Sequence, residues 1–454
     1  MKLDALKRLY FIGIGGIGMS ALARYFNQRG AEIHGYDKTE TALTKKLVSE
    51  GMKIHFEDDI AKIPEQLDAV VYTPAIPGDH QELNHLMASD IPVMKRSEML
   101  GVISRAKKCI AVAGTHGKTT TSSMTAHLLK HSGMDISCFL GGIANNFESN
   151  YCYGESEWTV IEADEFDRSF HRLSPEIAVL ISMDPDHLDI YGEKNKMQES
   201  FEIFLLKVNE GGKVIIQQDL IELLDDGFLK KLKDKRVDVF TYGGEEADFK
   251  ISNLRFEEGR QVFDQGDLKD VSLMMPGLHN TLNMCAAMAV ARILEIEKEQ
   301  IKAGVKTFSG IKRRFEIFEG GSMVYVDDYA HHPSELRAAI GSARSLWPDR
   351  EMTVIFQPHL FSRTRDFLSE FGDELSKVDE LLLMDIYPAR EKPIPGINSE
   401  RLLETIDLKE KKVVKREDLM KIIKGKKRKL IMTLGAGDID VFAPEIRSWI
   451  KEND

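Results

Sequence analysis

Short apolar runs recur along the chain, separated by longer amphipathic stretches. This is the pattern of strands buried on both faces alternating with helices. The first run, residues 8–12, leads into a helical pattern through Ala21, Leu22, Tyr25 and Phe26 that stops near Gly30. A second run covers residues 32–36 and ends in the acid Asp37, and further strands are predicted at 69–72 and 92–94. A new series opens at Cys109, after the polar stretch 104–108, with runs at 109–113, 158–162 and 177–182. A third series follows residues 310–315, with runs at 323–326, 352–356, 380–384 and 430–434. Helical patterns between the runs imply parallel sheets, so the predicted class is α/β. Residues 236–273 carry short alternating segments and read as an antiparallel excursion. The shifts in pattern divide the chain into three blocks, the second opening at Cys109 and the third after Phe315.

Composition narrows the class. At 454 residues, with 43% hydrophobic and 30% charged positions, the chain reads as a soluble globular protein too long for one core. No apolar run could span a bilayer, and residues 1–8 lack the apolar core of a signal peptide. Cys109, Cys138, Cys152 and Cys285 have no metal-ligand spacing and read as free thiols in a reducing cytoplasm. A net charge of −12 argues against nucleic acid as a partner. The basic run 424–429 reads as a solvated turn before the last strand.

The chemistry gathers at strand ends. After the run 109–113 come Gly114-Thr115-His116-Gly117-Lys118-Thr119-Thr120 and a helix-compatible stretch. Glycines there let backbone N–H groups turn onto a polyphosphate, and the helix aims its positive end at the same anion. Lys118 would reach the outer phosphates and Thr119 would offer a hydroxyl to Mg²⁺. Val112 stands where the general phosphate-loop pattern has its first glycine. Residues 13–18, Gly-Ile-Gly-Gly-Ile-Gly, with Asp37 about 20 residues on, form a mononucleotide fingerprint whose acid would hold a ribose hydroxyl.

Glu162 closes a predicted strand beside the phosphate loop, where a carboxylate can hold Mg²⁺, and Asp164, Glu165 and Asp167 follow. Asp184 to Asp189, with His187 between carboxylates, repeats the theme. His279, Asn280 and Asn283 open an Ala-rich helix, either as an N-cap or as amide edges for a base. In the third series, Arg313 and Arg314 precede a strand that ends in Asp327, Asp328, Tyr329, Ala330, His331 and His332. Gln357, Pro358 and His359, with Arg363 and Arg365, end another; arginines there could fork onto a carboxylate or phosphate.

These residues together resemble the Mur ligases, the ATP-dependent amino-acid ligases of peptidoglycan assembly. The likeness lies in FIGIGGIGMSALA (11–23), GTHGKTTT (114–121), EADEFDRSF (162–170), DPDHLDIYG (184–192), GLHNTLNMCAA (277–287), GIKRRFE (310–316), DDYAHHPSE (327–335), QPHLFSRTRD (357–366) and LGAGDI (434–439), in family order across nearly the whole chain. The resemblance implies a Rossmann-like UDP-sugar-binding domain over 1–107, a central P-loop ATPase over 108–312, and a Rossmann-like amino-acid-binding domain over 313–454. It implies ATP and Mg²⁺ as cofactors, with UDP-N-acetylmuramate and L-alanine joined through an acyl phosphate in the cytoplasm. No nucleic acid or membrane partner is implied, and there is room for a homodimer.

By the same resemblance, residues 114–120 with His279, Asn280, Asn283 and Arg314 contact ATP, and Thr119, Glu162 and His187 hold metal. Gly15, Gly16, Gly18 and Asp37 take the UDP moiety, and Tyr329, His331 and Arg363 the amino acid. Lys118, His187, Arg314 and His331 carry the chemistry. Leu360 stands where related alanine-adding enzymes usually have a basic residue after Pro-His, and residues 198–205 contain no lysine to be carbamylated. The competing readings are a peptide-recycling ligase on the same nucleotide sugar, an NAD-dependent oxidoreductase using the first glycine loop, and a nucleotide-regulated binding protein.

Overall fold

A computed structural model of the chain describes residues 2–184, 194–389 and 391–453. It resolves into two compact units: Met1–Met274 with Leu278–Ser309, and Gly310–Asp454 with Met275–Gly277. Among the described residues no helix is long and apolar enough to cross a membrane. All four cysteines are buried and unbridged.

The first unit carries two sheets. Strands β1 (Arg8–Ile12), β2 (Glu32–Tyr36), β3 (Lys53–His55), β4 (Ala69–Tyr72) and β5 (Val93–Lys95) pair in parallel in the order β3-β2-β1-β4-β5. The second sheet is built from β6 (Lys108–Ala113), β7 (Ser137–Ala144), β8 (Ser149–Cys152), β9 (Trp158–Glu162), β10 (Pro175–Leu180), β11 (Lys213–Gln217), β12 (Asp238–Gly243), β13 (Phe249–Glu257), β14 (Arg260–Gln265) and β15 (Leu268–Leu273). Its order is β15-β14-β13-β12-β11-β10-β6-β9-β7-β8, which puts β6 deep in the sheet between β10 and β9. Residues Cys109 to Ala113 are wholly buried, as expected of a strand covered on both faces.

The excursion expected over 236–273 is antiparallel only from β13 onward. β12 runs parallel to β11, because the helix Phe228–Asp234 between them makes a crossover that alternation alone does not reveal.

The two sheets of this unit share one core. The helix Ile17–Gln28, which follows β1, lays Tyr25 against Phe139 (5.4 Å between ring centroids) and Tyr151 (6.4 Å) on the β7–β8 hairpin. Arg24 donates to the Asn150 Oδ1 (2.6 Å), and the Asn150 amide donates to the Ser20 hydroxyl (3.0 Å). Burying each of these large aromatic side chains is worth about 1.5–3 kcal/mol.

In the second unit, β16 (Glu316–Gly320), β17 (Met323–Asp328), β18 (Met352–Phe356), β19 (Glu380–Leu383), β20 (Lys411–Val413) and β21 (Leu430–Leu434) lie in the order β16-β17-β21-β18-β19-β20. Only β16 is antiparallel, so the sheet is Rossmann-like with one reversed edge. A buried pair pins it: Arg428 donates to both Glu380 oxygens (2.8 and 2.9 Å), and the Thr353 hydroxyl donates to one of them (2.8 Å).

Burial pushes the Glu380 carboxyl up, but Arg428, Thr353 and Lys426 outweigh it and hold the pKa at about 2. Arg428→Met strands that carboxylate and is expected to cost about 3–5 kcal/mol in denaturant unfolding. Because the folded value lies below the ordinary 4.5, the pair's contribution is complete above that pH. It fades as the pH falls through 2, and the variant should lose this part of the acid limb.

Candidate active site

β6 runs straight into the loop Gly114–Gly117, and the helix Lys118–His131 begins at once. Gly114 (φ 151°) and Gly117 (φ 78°) sit where side chains are disfavoured. A Cβ on Gly114 would fall 2.6 Å from Ile181, and one on Gly117 would fall 2.8 Å from the Asn283 amide oxygen. Ser182, just past β10, ties the loop's middle: its hydroxyl accepts from the His116 N–H (2.9 Å) and the Thr115 hydroxyl (3.1 Å) and donates to the His116 carbonyl (3.1 Å). Thr119 and Thr120 follow Lys118 in the first helical turn, both buried.

Lys118 donates to the carbonyls of Gly114 (2.7 Å) and Thr115 (3.1 Å) and to Glu165 (2.8 Å). Glu165 is fully buried, and burial lifts its pKa to about 7 against the pull of Lys118, with Asp164 adding to the rise. Burial works against the Lys118 ammonium in turn, but Glu165, Asp164 and Glu162 outweigh it and hold its pKa above the ordinary lysine value.

Glu162 is the last residue of β9. It accepts from the Thr119 hydroxyl (2.9 Å) and from the Gly141 N–H on β7 (2.7 Å), and any side chain at Gly141 would collide with it. A hydroxyl beside a carboxylate is a hard-oxygen donor pair that suits Mg²⁺. Among the described residues no cluster of three His, Cys, Asp or Glu could hold a metal alone. Mg²⁺ at such a pair keeps several waters and takes phosphate oxygens as further ligands. His187 lies outside the described residues.

The helix expected to open at His279 and Asn280 begins at Leu278. His279 and Asn280 therefore lie in its first turn, and Asn280 is not the N-cap. Asn280 and Asn283 are buried, and Asn283 abuts Gly117; His279 is exposed.

At the first glycine loop, Gly13 has φ 83° and Gly16 caps the helix Ile17–Gln28. The Gly15 N–H donates to the Asp37 Oδ2 (2.7 Å), and the Thr39 N–H to its Oδ1 (3.2 Å). The acid expected at a ribose also braces the glycine loop. Arg96, absent from the sequence expectations, packs on Gly18 and pairs with Asp164 (3.2 Å). Its only local signal is a cation directly after a strand end.

In the second unit, the guanidinium groups of Arg313 and Arg314 each lie 5.2 Å from the Tyr329 ring. The N–H of His331 donates to Glu335 (2.9 Å), and its Nδ1 lies 2.9 Å from the Tyr329 carbonyl. The His331 ring meets His359 edge to face (5.8 Å), and His359 stacks on Tyr387 (5.8 Å). Burial lowers the pKa of His331 and takes His359 to about 4, with Arg363 adding to both. Two neutral imidazoles beside a half-buried arginine that forms no ion pair among the described residues suit an anionic group.

Leu360 adopts φ 73° where the chain turns into the helix Phe361–Asp366. Gln357, quoted in the sequence only as part of a strand end, donates to Asp438 (2.9 Å) and accepts from the Ile439 N–H (3.0 Å), locking the glycine turn after β21.

Three family models match the chain: "Mur ligase family, catalytic domain" over residues 8–108, "Mur ligase middle domain" over 112–291, and "Mur ligase, glutamate ligase domain" over 313–441. A UDP-N-acetylmuramate–L-alanine ligase of Cytophaga hutchinsonii is 46% identical, over 98% of this chain and 97% of the relative. One from Flavobacterium johnsoniae is 44% identical over the full length of both. The crystal structure of the UDP-N-acetylmuramate–alanine ligase of Thermotoga maritima superposes with a TM-score of 0.82 at 26% identity, covering 99% of this chain and 100% of that one. A murein peptide ligase from Psychrobacter arcticus shares the fold at a TM-score of 0.70 and 21% identity, covering 98% and 99%. With every family model and near full-length relatives in agreement, the chain belongs to the Mur ligase family.

Proposed function

We propose that the chain is a cytoplasmic, ATP-dependent ligase that joins L-alanine to the carboxylate of UDP-N-acetylmuramate in peptidoglycan precursor synthesis. The observation that carries this reading is the phosphate loop with Lys118 inside it and the Thr119–Glu162 pair beside it, in a chain 46% identical to an alanine-adding relative. A carboxylate oxygen is a poor leaving group from carbon, whereas phosphate is a good one. The muramyl carboxylate therefore attacks the γ-phosphorus and ADP departs; the amine then attacks the acyl phosphate, expelling phosphate and losing a proton. Bringing two anions together needs positive charge, which Lys118 and the helix N-terminus supply. Mg²⁺ held by Thr119 and Glu162, with His187 beside a second ion, would spread charge over the phosphoryl oxygens.

In this reading residues 1–107 take the UDP moiety, with Gly15, Gly16, Gly18 and Asp37 at its loop. Residues 108–312 take ATP, with 114–120, His279, Asn280 and Asn283 around it. Residues 313–454 take the amino acid, whose carboxylate suits Arg363 beside Tyr329 and His331. The test is phosphate release from ATP with UDP-N-acetylmuramate and each of L-alanine, glycine, L-serine and tripeptide. Release with L-alanine is expected. Release with tripeptide alone would make the protein a recycling ligase, and no ADP with any acceptor would end the ligase reading.

A further inference from the structure

The Lys118 ammonium has no donor to spare. Its three N–H groups are directed at the Gly114 carbonyl, the Thr115 carbonyl and the Glu165 Oε1, and an ammonium has no fourth. A phosphate oxygen can reach this cation only by displacing one of these acceptors. Two are carbonyls of the loop that would wrap the phosphates. The third is an anion, so it competes with phosphate in kind. Glu165 lies on the segment just after β9 and is fully buried, while Lys118 opens the helix after β6; the side-chain pair is nearly closed to solvent, at 14% and 1% exposure.

We propose that Glu165 is a positioning residue that parks Lys118 against the loop and competes with the outer phosphates of the nucleotide for it. The inference rests on the reading of the loop as a nucleotide site. Separating a buried carboxylate from its cation is costly, so the latch makes nucleotide binding weaker than the loop alone would allow. The cost is limited because Glu165, its carboxyl already raised to about 7 by burial, can take up a proton once the lysine leaves. The same competition favours departure of ADP after turnover, since Lys118 has an anion to return to.

Binding of ADP, followed by calorimetry, tests the latch without turnover. Glu165→Gln keeps the size and an acceptor oxygen but removes the charge; Glu165→Ala removes both. Each variant, checked for folding by circular dichroism, is expected to bind ADP roughly tenfold or more tighter than the unaltered protein. Glu165→Asp keeps the charge and should stay close to the unaltered protein. Lys118→Met should abolish the gain, so that adding Glu165→Gln to it changes nothing. Folded Gln and Ala variants that bind ADP no tighter would overturn the proposal. So would an undiminished gain in the Lys118→Met background, which would mean that Glu165 repels phosphate directly. If the unaltered protein binds no ADP, the nucleotide reading itself falls, and the latch with it.

Discussion

Lys118→Ala should leave a folded protein that turns over ATP at least about a thousandfold more slowly, the loss expected when a cation on a transferring phosphoryl group is removed. Thr119, next in the helix that this side chain opens, keeps its own partner in Glu162. What is lost is the positive charge between the loop carbonyls and Glu165. Its removal also takes the Lys118 charge from beside the buried Glu165, and the carboxyl should then rise further. Steady-state phosphate release and nucleotide binding should be measured together. A fall in turnover larger than the fall in binding locates the charge in the transition state. A variant that keeps its rate would remove the phosphate loop from the chemistry.

Glu162→Ala should be the next most damaging change, lowering turnover by about a hundredfold to a thousandfold. Glu162 has two tasks: one oxygen receives the Thr119 hydroxyl, and the other receives the Gly141 N–H. The first orients a hydroxyl beside a carboxylate, and the second fixes the rotamer that makes this possible. Raising Mg²⁺ should recover part of the Glu162→Ala defect, because a weakened cation site responds to mass action. A defect indifferent to Mg²⁺ from micromolar to tens of millimolar would show that Glu162 serves the fold and not the ion.

The phosphate loop was legible because everything it needs is local: an apolar strand, two glycines with left-handed or nearly extended backbone, and a helix. The deep placement of β6 was legible for a similar reason, its residues being apolar without alternation. Several other strands were not, although β5, short and at an edge, was expected at 92–94. β7 and β8 contain glycine and asparagine, β16 has two glutamates and a glycine among five residues, and β3 and β20 are three residues long. Such strands are defined by pairing with distant partners more than by propensity.

The same limit applies within the sites. Glu165 reads in sequence as one of four clustered acids, and its pairing with Lys118, 47 positions away, is not displayed there. Asp37 reads as a ribose ligand, and the bonds that it accepts from the Gly15 and Thr39 N–H groups are a further role that the sequence does not display. Arg96 carried no motif, because its meaning comes from Gly18 and Asp164 on other elements.

The contact between the helix Ile17–Gln28 and the β7–β8 hairpin constrains how this protein can be recombined. Tyr25, Arg24 and Ser20 on one side are matched to Phe139, Tyr151 and Asn150 on the other. A chimera that imports residues 8–108 from a relative inherits half of a fitted joint. Unless the hairpin travels with it, the graft leaves aromatic rings facing foreign side chains and the Arg24 guanidinium without its amide. Swapping modules among these ligases should therefore be planned around the joint, not around the point where one sheet gives way to the next.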